Sequence, residues 1–415
     1  MSRTAHSLTH PSSNSILRSL PSSSRSLLDV AVAAAEARGE SLWLVGGAIR
    51  DYAAGRSVWN VDVSVDGDAA ALADEMVKSL DATVQYFRRF ATATVSHRGA
   101  AIDIAALRSE RYGRDGALPV VRVGATIERD LARRDFTVNA IAIGLTGATR
   151  DKLVDPFDGL TDLADRRLRV LHDRVFADDA TRLWRGARYA ARLRLHPDRT
   201  TAALIADGTS SLARISGRRL WAEFARTAAE RGAYRTLRLL DQWGVLAATA
   251  PALALSPPAA QALRHRPGPH DPALLLATLA SSSAGVEGVL ERFAASGQVR
   301  SVVEQALRLL AAGEPTPELL ATLERYDERA RTAALWCAPG PQRPLQRELR
   351  RWERTRSPLD AGALARLGVA PGPTIGETLR RLRRERYLGT LSSAAEARRS
   401  VRMALRGTTR RGERG

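Results

Sequence analysis

A single cysteine, Cys337, stands in a chain of 415 residues, which excludes an internal disulfide and any cysteine-based zinc site. Beside Trp336 in an apolar stretch, it reads as a core residue. No apolar run approaches the roughly 20 residues that a membrane-crossing helix needs. Those two absences point to a soluble protein of a reducing compartment, the cytoplasm. Lysine is almost missing: nearly all of the 63 basic residues are arginine, and only 45 acidic residues oppose them, leaving +18. Guanidinium groups grip phosphate in a planar, bidentate way. A polyanionic partner follows, nucleic acid ahead of a membrane surface. Acidic residues are absent from residues 1–25, which are rich in Ser with scattered Arg and the breakers Pro11 and Pro21. That composition predicts a disordered tail.

What is present falls into two styles. Apolar spacing predicts a helix over Ser26–Arg38, closed by Gly39. Leu42–Val45 is a short apolar run that ends in Gly46-Gly47, a strand followed by a turn. Val61, Val63 and Val65 alternate with Asp62, Ser64 and Asp66, the period of a strand with one buried face. Thr92–Ser96 and Ala101–Ala105 read as further strands. Beyond about Asp162 the pattern becomes Leu/Ala/Arg at helical spacing, broken at Pro251, Pro257-Pro258, Pro267–Pro269 and Pro371–Pro373, and it stays so to the end.

The chemistry concentrates in the first style. Paired glycines after a strand let the backbone approach a triphosphate, and Arg50 supplies charge-assisted hydrogen bonds. Asn60 and Asp62, two apart on one strand, share a face. Asp103 completes a third corner if its strand is a neighbour. Such a cluster of hard oxygen ligands suits phosphoryl transfer with two metal ions. His97, Trp184 and Tyr189 read as a solvated histidine and two packing residues. The arginines at 380, 381, 383, 384, 386, 398 and 399 fit either an RNA backbone contact or a solvated helix face.

Taken in order, these segments resemble the class II CCA-adding and poly(A) polymerase family, bacterial branch. The resemblance rests on Gly46-Gly47-Ala48-Ile49-Arg50-Asp51, Gly55-Arg56 and Asn60-Val61-Asp62, then on Ala105–Tyr112. It continues through Arg133-Arg134-Asp135-Phe136-Thr137-Val138-Asn139-Ala140, Asp155–Gly159 with Asp162-Leu163, and Asp178-Asp179-Ala180-Thr181-Arg182. Ser216–Arg219 with Glu223 follows, and Pro371-Gly372-Pro373 with Gly376 closes the series. It covers roughly residues 40–400, and several motifs in order are far more specific than any one.

The resemblance implies an α+β protein. A polymerase-β-like head over 26–160 precedes a helical neck over 161–230, a body over 231–340 and an Arg-rich helical tail over 341–415. It implies transfer of C and/or A residues from CTP and ATP, with Mg²⁺, to the 3′ end of tRNA or another RNA. Asp62, Asp103 and Asn60 would be the catalytic metal ligands. Gly46, Gly47, Arg50, Asp51, Arg108, Arg134, Asp135 and Asn139 would hold the nucleotide, with Asp135 accepting the ribose 2′-hydroxyl. Asp179 and Arg182, three apart on one helix, would read the base in place of a template. Asn60 stands where the family carries a first aspartate, and an amide is a weaker Mg²⁺ ligand than a carboxylate. Three outcomes stay open: a tRNA nucleotidyltransferase, a poly(A) polymerase, or a catalytically impaired RNA-binding paralogue on the same scaffold.

Overall fold

A computed structural model describes residues 9–113, 116, 118–281, 284–312, 315–338 and 343–412. Two compact units emerge: residues 1–227 with 235–251, and residues 228–234 with 252–415.

The first unit is built on a seven-stranded mixed sheet. Its strands are β1 (Leu42–Val45), β2 (Val61–Val65), β3 (Thr83–Phe87), β4 (Thr92–His97), β5 (Ala100–Ala106), β8 (Ala142–Gly144) and β9 (Leu153–Val154), in the order β3-β4-β5-β2-β1-β8-β9. Strands β6 (Arg108–Arg111) and β7 (Val120–Val123) pair separately as a two-stranded ribbon. Within the large sheet only β2 and β5 run parallel, and they sit side by side near its centre. Alternation decides what each face carries. Val61, Val63 and Val65 of β2, with Ala100, Ile102, Ile104 and Ala106 of β5, enter one core. The same core takes Leu27, Leu28 and Ala31 from helix α2 (Ser22–Ala37), and Leu72, Ala73 and Met76 from α4 (Ala69–Ser79). The residues between them, Asp62 and Asp103, are thereby presented on the opposite face.

The disordered tail expected over residues 1–25 does not hold for its described part. Helix α1 (Ser13–Ser19) starts at a capping box made by Ser12 and Ser15, and Ile16 is fully buried in the head core. The backbone N–H of Thr9 donates to the carbonyl of Ala53, and Ser13 donates to Asp151 from both its N–H and its hydroxyl, at 3.0 and 2.6 Å. Serines that look like disorder in composition act here as helix caps. Residues 1–8 lie outside the described residues.

Ala91 closes the turn between β3 and β4 in the left-handed region, at φ 47°. A Cβ there costs about 1 kcal/mol that glycine does not pay. Ala91→Gly is expected to stabilise the protein by up to ~1 kcal/mol, read as a higher denaturant midpoint. An unchanged or lower midpoint would show that this turn carries no strain.

The remainder of the first unit is helical: α3 (Gly47–Ala53), α5 (Ile127–Ala132), α6 (Gly159–Ala164), α7 (Val175–Asp178) and α8 (Thr181–Leu193), then the helices Arg199–Gly208 and Gly217–Ala229. The second unit is helical throughout its described residues. One of its cores gathers Leu345, Leu349, Trp352 and Tyr387; another gathers Leu364, Leu382, Ala397 and Val401. Cys337 is buried, as its apolar surroundings require. No helix among the described residues is long and apolar enough to cross a membrane.

Candidate active site

Backbone pairing brings the two carboxylates together. Parallel β2 and β5 are registered so that Asp62 stands opposite Asp103. Antiparallel β4 places Thr94 opposite Asp103 on the other side, and its hydroxyl donates to the Asp103 carboxylate at 2.5 Å. Asp62 receives no hydrogen bond among the described residues. Burial, and then the charge of Asp103, raise the Asp62 carboxyl above its ordinary range, while Arg134, Arg185 and Arg50 pull the other way. Two carboxylates this close, one of them lacking a donor, are a donor set that a divalent cation relieves. Mg²⁺ keeps most of its waters and takes one or two carboxylates plus substrate phosphates, so the pair fits it.

Asn60 departs from its expected position. Strand β2 begins at Val61, so Asn60 lies exposed just before the first paired residue instead of within the strand. The backbone at 60 is not held by the ladder as that at 62 is. Among the described residues no group of three His, Cys, Asp or Glu side chains stands close enough to hold a metal ion.

Beside this pair, β1 ends in the Gly46-Gly47 turn. Gly46 adopts φ 67° and ψ -112°, a conformation that favours glycine, and a Cβ on it would also meet the Arg134 guanidinium at 3.0 Å. Arg50, on α3, is buried; it pairs with Asp51 at 2.8 Å and donates to the side-chain oxygen of Asn139. The amide group of Asn139 donates in turn to Asp135 at 2.9 Å, and Arg185 of α8 donates to the other Asp135 oxygen at 2.8 Å. A continuous chain, Arg50–Asn139–Asp135–Arg185, therefore links the glycine turn to α8. Asp162, buried, accepts from Thr137 at 2.6 Å and braces the turn that carries Asn139. Burial alone would raise Asp135, which is only 3 % exposed, but Arg185, Asn139 and Arg182 outweigh it and hold the carboxyl at about 2. One oxygen of Asp135 receives a single protein donor, which leaves it a free lone pair. Arg134 pairs with Asp130 at 3.1 Å, and its buried Nε has no partner among the described residues. Arg108, on β6, pairs with Glu110 and donates to the carbonyl of Phe90; burial and Arg133 lower its pKa.

Asp179 and Arg182 do not share one helix. Asp179 ends α7 in an extended conformation, and α8 starts at Thr181. The Asp179 carboxylate accepts from the N–H and hydroxyl of Thr181 at 2.9 and 2.6 Å and pairs with Arg219 at 2.8 Å. Arg182, 7 % exposed, donates to the carbonyl of Arg133 at 3.1 Å and to the Tyr112 hydroxyl at 3.3 Å. The spacing of three arises from a helix start capped by its own aspartate, a feature that sequence alone does not separate from a continuous helix.

Arg185, which no motif singled out, belongs to this neighbourhood, as do Arg219, the last residue of the Ser216–Arg219 motif, and Tyr189, expected only to pack. Arg185 and Tyr189 lie one turn apart on α8, and Arg185 was legible only as part of the Arg-rich pattern of that helix. Arg188, one turn beyond Arg185, is buried and paired with buried Glu223. In the second unit, Arg347, Arg350, Arg351, Arg354, Arg356 and Arg386 line an open cleft of about 820 Å³, to which no carboxylate among the described residues contributes.

A mixed-sheet head with a registered carboxylate pair beside a glycine turn, followed by helices, defines a nucleotidyltransferase of the polymerase-head kind. Residues 42–169 match the family described as the poly A polymerase head domain, and residues 194–255 match a probable RNA- and SrmB-binding site of polymerase A. A CC-adding tRNA nucleotidyltransferase of Deinococcus radiodurans is 32% identical over 368 residues, 88% of this chain and 89% of that one. The chain belongs to this tRNA nucleotidyltransferase family. An A-adding tRNA nucleotidyltransferase of Halalkalibacterium halodurans is 40% identical over 185 residues, which span 43% of each chain. The Thermotoga maritima CCA-adding enzyme, solved in complex with tRNA, shares the fold at TM-score 0.66 and 22% identity, over 95% of this chain and 99% of that one. Members of this family generally depend on a divalent metal.

Proposed function

We infer that this protein is a cytoplasmic, template-independent RNA nucleotidyltransferase that adds C and/or A residues from CTP and ATP to the 3′ end of tRNA. The observation that carries the reading is the in-register Asp62–Asp103 pair beside the Gly46-Gly47 turn and Arg50. The RNA 3′-hydroxyl attacks the α-phosphate, a new phosphodiester forms, and pyrophosphate leaves. Asp62 and Asp103, with the amide oxygen of Asn60, are the residues that would hold Mg²⁺. When bound, that ion polarises the phosphoryl oxygens and neutralises developing charge. Gly46, Gly47 and Arg50 cradle the triphosphate, with Asp51 and Asn139 fixing the Arg50 guanidinium. Arg108 and Arg134 add positive charge on the nucleotide side. Asp135 accepts the ribose 2′-hydroxyl through the lone pair left on its carboxylate. Asp179 and Arg182 offer an acceptor and a donor to the base edge once the nucleotide displaces their present partners.

The decisive experiment is incorporation of labelled CTP or ATP into tRNA that lacks its 3′ end. Binding of that tRNA without incorporation supports the second reading, an impaired paralogue, which the amide at Asn60 favours.

Arg182→Ala is expected to erode the preference for CTP and ATP over GTP and UTP by at least tenfold, or ~1.4 kcal/mol, in competition assays. Retained selectivity at the wild-type rate would remove base reading from this residue.

The arginine cleft of the second unit supports RNA binding through phosphates. With Arg347, Arg350 and Arg354 all changed to Gln, the plot of log affinity for tRNA against log salt should flatten by about 2–3 units of slope. An unchanged slope would make that face solvated surface.

A further inference from the structure

Tyr189 sits on the site-facing turn of α8, half-buried, with its ring edge-on to Phe136 at 6.0 Å between centroids. Three guanidinium groups surround the ring. Arg50 lies over it at 4.9 Å, Arg192 at 5.8 Å and Arg185 at 5.9 Å. Arg50 comes from α3, whereas the other two share α8 with Tyr189. Asp51 is bound by Arg50 at 2.8 Å and by Arg192 at 3.6 Å, and Asp135 is bound by Arg185. The negative face of an aromatic ring attracts a cation without carrying a charge of its own. It can therefore hold the guanidiniums together without neutralising them and leave their charge available to a polyanion. An aspartate in the same place would cancel it. The phenol hydroxyl makes no hydrogen bond among the described residues, so the ring, not the hydroxyl, makes the contacts.

We propose that Tyr189 is a positioning residue for the nucleoside triphosphate: its ring fixes the Arg50 guanidinium in the triphosphate cradle and ties it to Arg185 on the helix that also carries Arg182. This rests on the reading of Arg50 as a triphosphate-binding group. The ring acts through the arginines and touches no reacting atom. Binding should therefore depend on it, and the chemical step should not.

The test compares Tyr189→Leu, Tyr189→Met and Tyr189→Phe in the full chain, with CTP and Mg²⁺. Nucleotide affinity is measured by calorimetry, and single-turnover addition to tRNA at saturating CTP is measured beside it. Tyr189→Leu should weaken CTP binding by about tenfold, with the rate at saturation within about twofold of wild type. Tyr189→Phe should bind CTP as the natural protein does, because it keeps the ring. Tyr189→Met fills the volume without a π face and should weaken CTP binding like Leu, which keeps the comparison valid if the Leu variant fails to fold. Wild-type affinity in the Leu or Met variant overturns the proposal. So does a Phe variant as weak as Leu, which would give the role to the hydroxyl, or a loss confined to the rate at saturation. Arg50→Ala separates the two readings. If it leaves CTP affinity unchanged, the triphosphate role of Arg50 fails; if it weakens CTP and Tyr189→Leu does not, only the positioning role fails.

Discussion

Asp62→Asn is expected to lower single-turnover nucleotide addition by about a thousandfold or more, with tRNA affinity unchanged. A Lewis-acid metal supplies several kcal/mol to the transition state, and each ~1.4 kcal/mol is tenfold in rate. The amide removes one of the two charged ligands that the sheet supplies and leaves the fold intact. Proton and metal compete for the same carboxylate. Burial and the neighbouring Asp103 raise the Asp62 pKa, so the protonated form persists above the usual carboxylate range near ~4. The acidic limb of the rate profile should therefore lie above that range and move to lower pH as Mg²⁺ is increased. Asn60→Asp adds the charge that the chain lacks. It should raise the rate and reduce the Mg²⁺ needed, and Mn²⁺, which tolerates weaker ligand sets, should partly rescue the natural protein. A Mg²⁺ titration of single-turnover addition for the three proteins decides this. Wild-type rates in Asp62→Asn would remove the metal role from β2, and an Asn60→Asp protein identical to wild type would remove position 60 from the site.

Glu223→Leu is expected to destabilise the first unit strongly, by roughly 3–5 kcal/mol. Glu223 accepts from buried Arg188 and, at 2.7 Å, from Arg226. Removing the carboxylate takes from buried Arg188 the ion pair that offsets part of its desolvation. At a few degrees per kcal/mol for a unit of this size, the melting temperature should fall on the order of 10 °C. Replacing both partners, Arg188→Met with Glu223→Leu, should recover most of the loss, because the buried guanidinium goes together with its carboxylate. If the single and double variants melt alike, the cost comes from packing and not from the lost ion pair.

Much of the head was legible because its signals are local. Val61, Val63 and Val65 alternate with polar residues, and the structure puts those three in the core and Asp62 on the other face. Glycines at 46 and 47 and the motif order from Gly46 to Arg182 marked the segments that the fold gathers. What the sequence left hidden depends on contacts between distant segments. Nothing in the spacing of 50, 139, 135 and 185 says that these four side chains join in one hydrogen-bonded chain; packing of α8 against the head does that. The step from Asp179 to Arg182 has a helical spacing, yet Asp179 spends its carboxylate on capping α8 and on Arg219. The first residues carry the composition of a disordered segment, yet Ile16, Leu17 and Leu20 seat α1 and its end against the core. Composition averages over positions, and burial does not.

The parallel register of β2 and β5 has a consequence for how this site can vary between relatives. Asp62 and Asp103 are spaced by the backbone ladder that also aligns Val61 with Ile102 and Val63 with Ile104. Moving Asp62 by one residue would turn the valines out of the core, and moving Asp103 would turn out Ile102 and Ile104, so the spacing of the pair is as inflexible as the core itself. Position 60 lies outside that ladder. Drift can substitute it without disturbing a single paired residue, so in the proposed site metal affinity is adjustable at position 60 independently of stability.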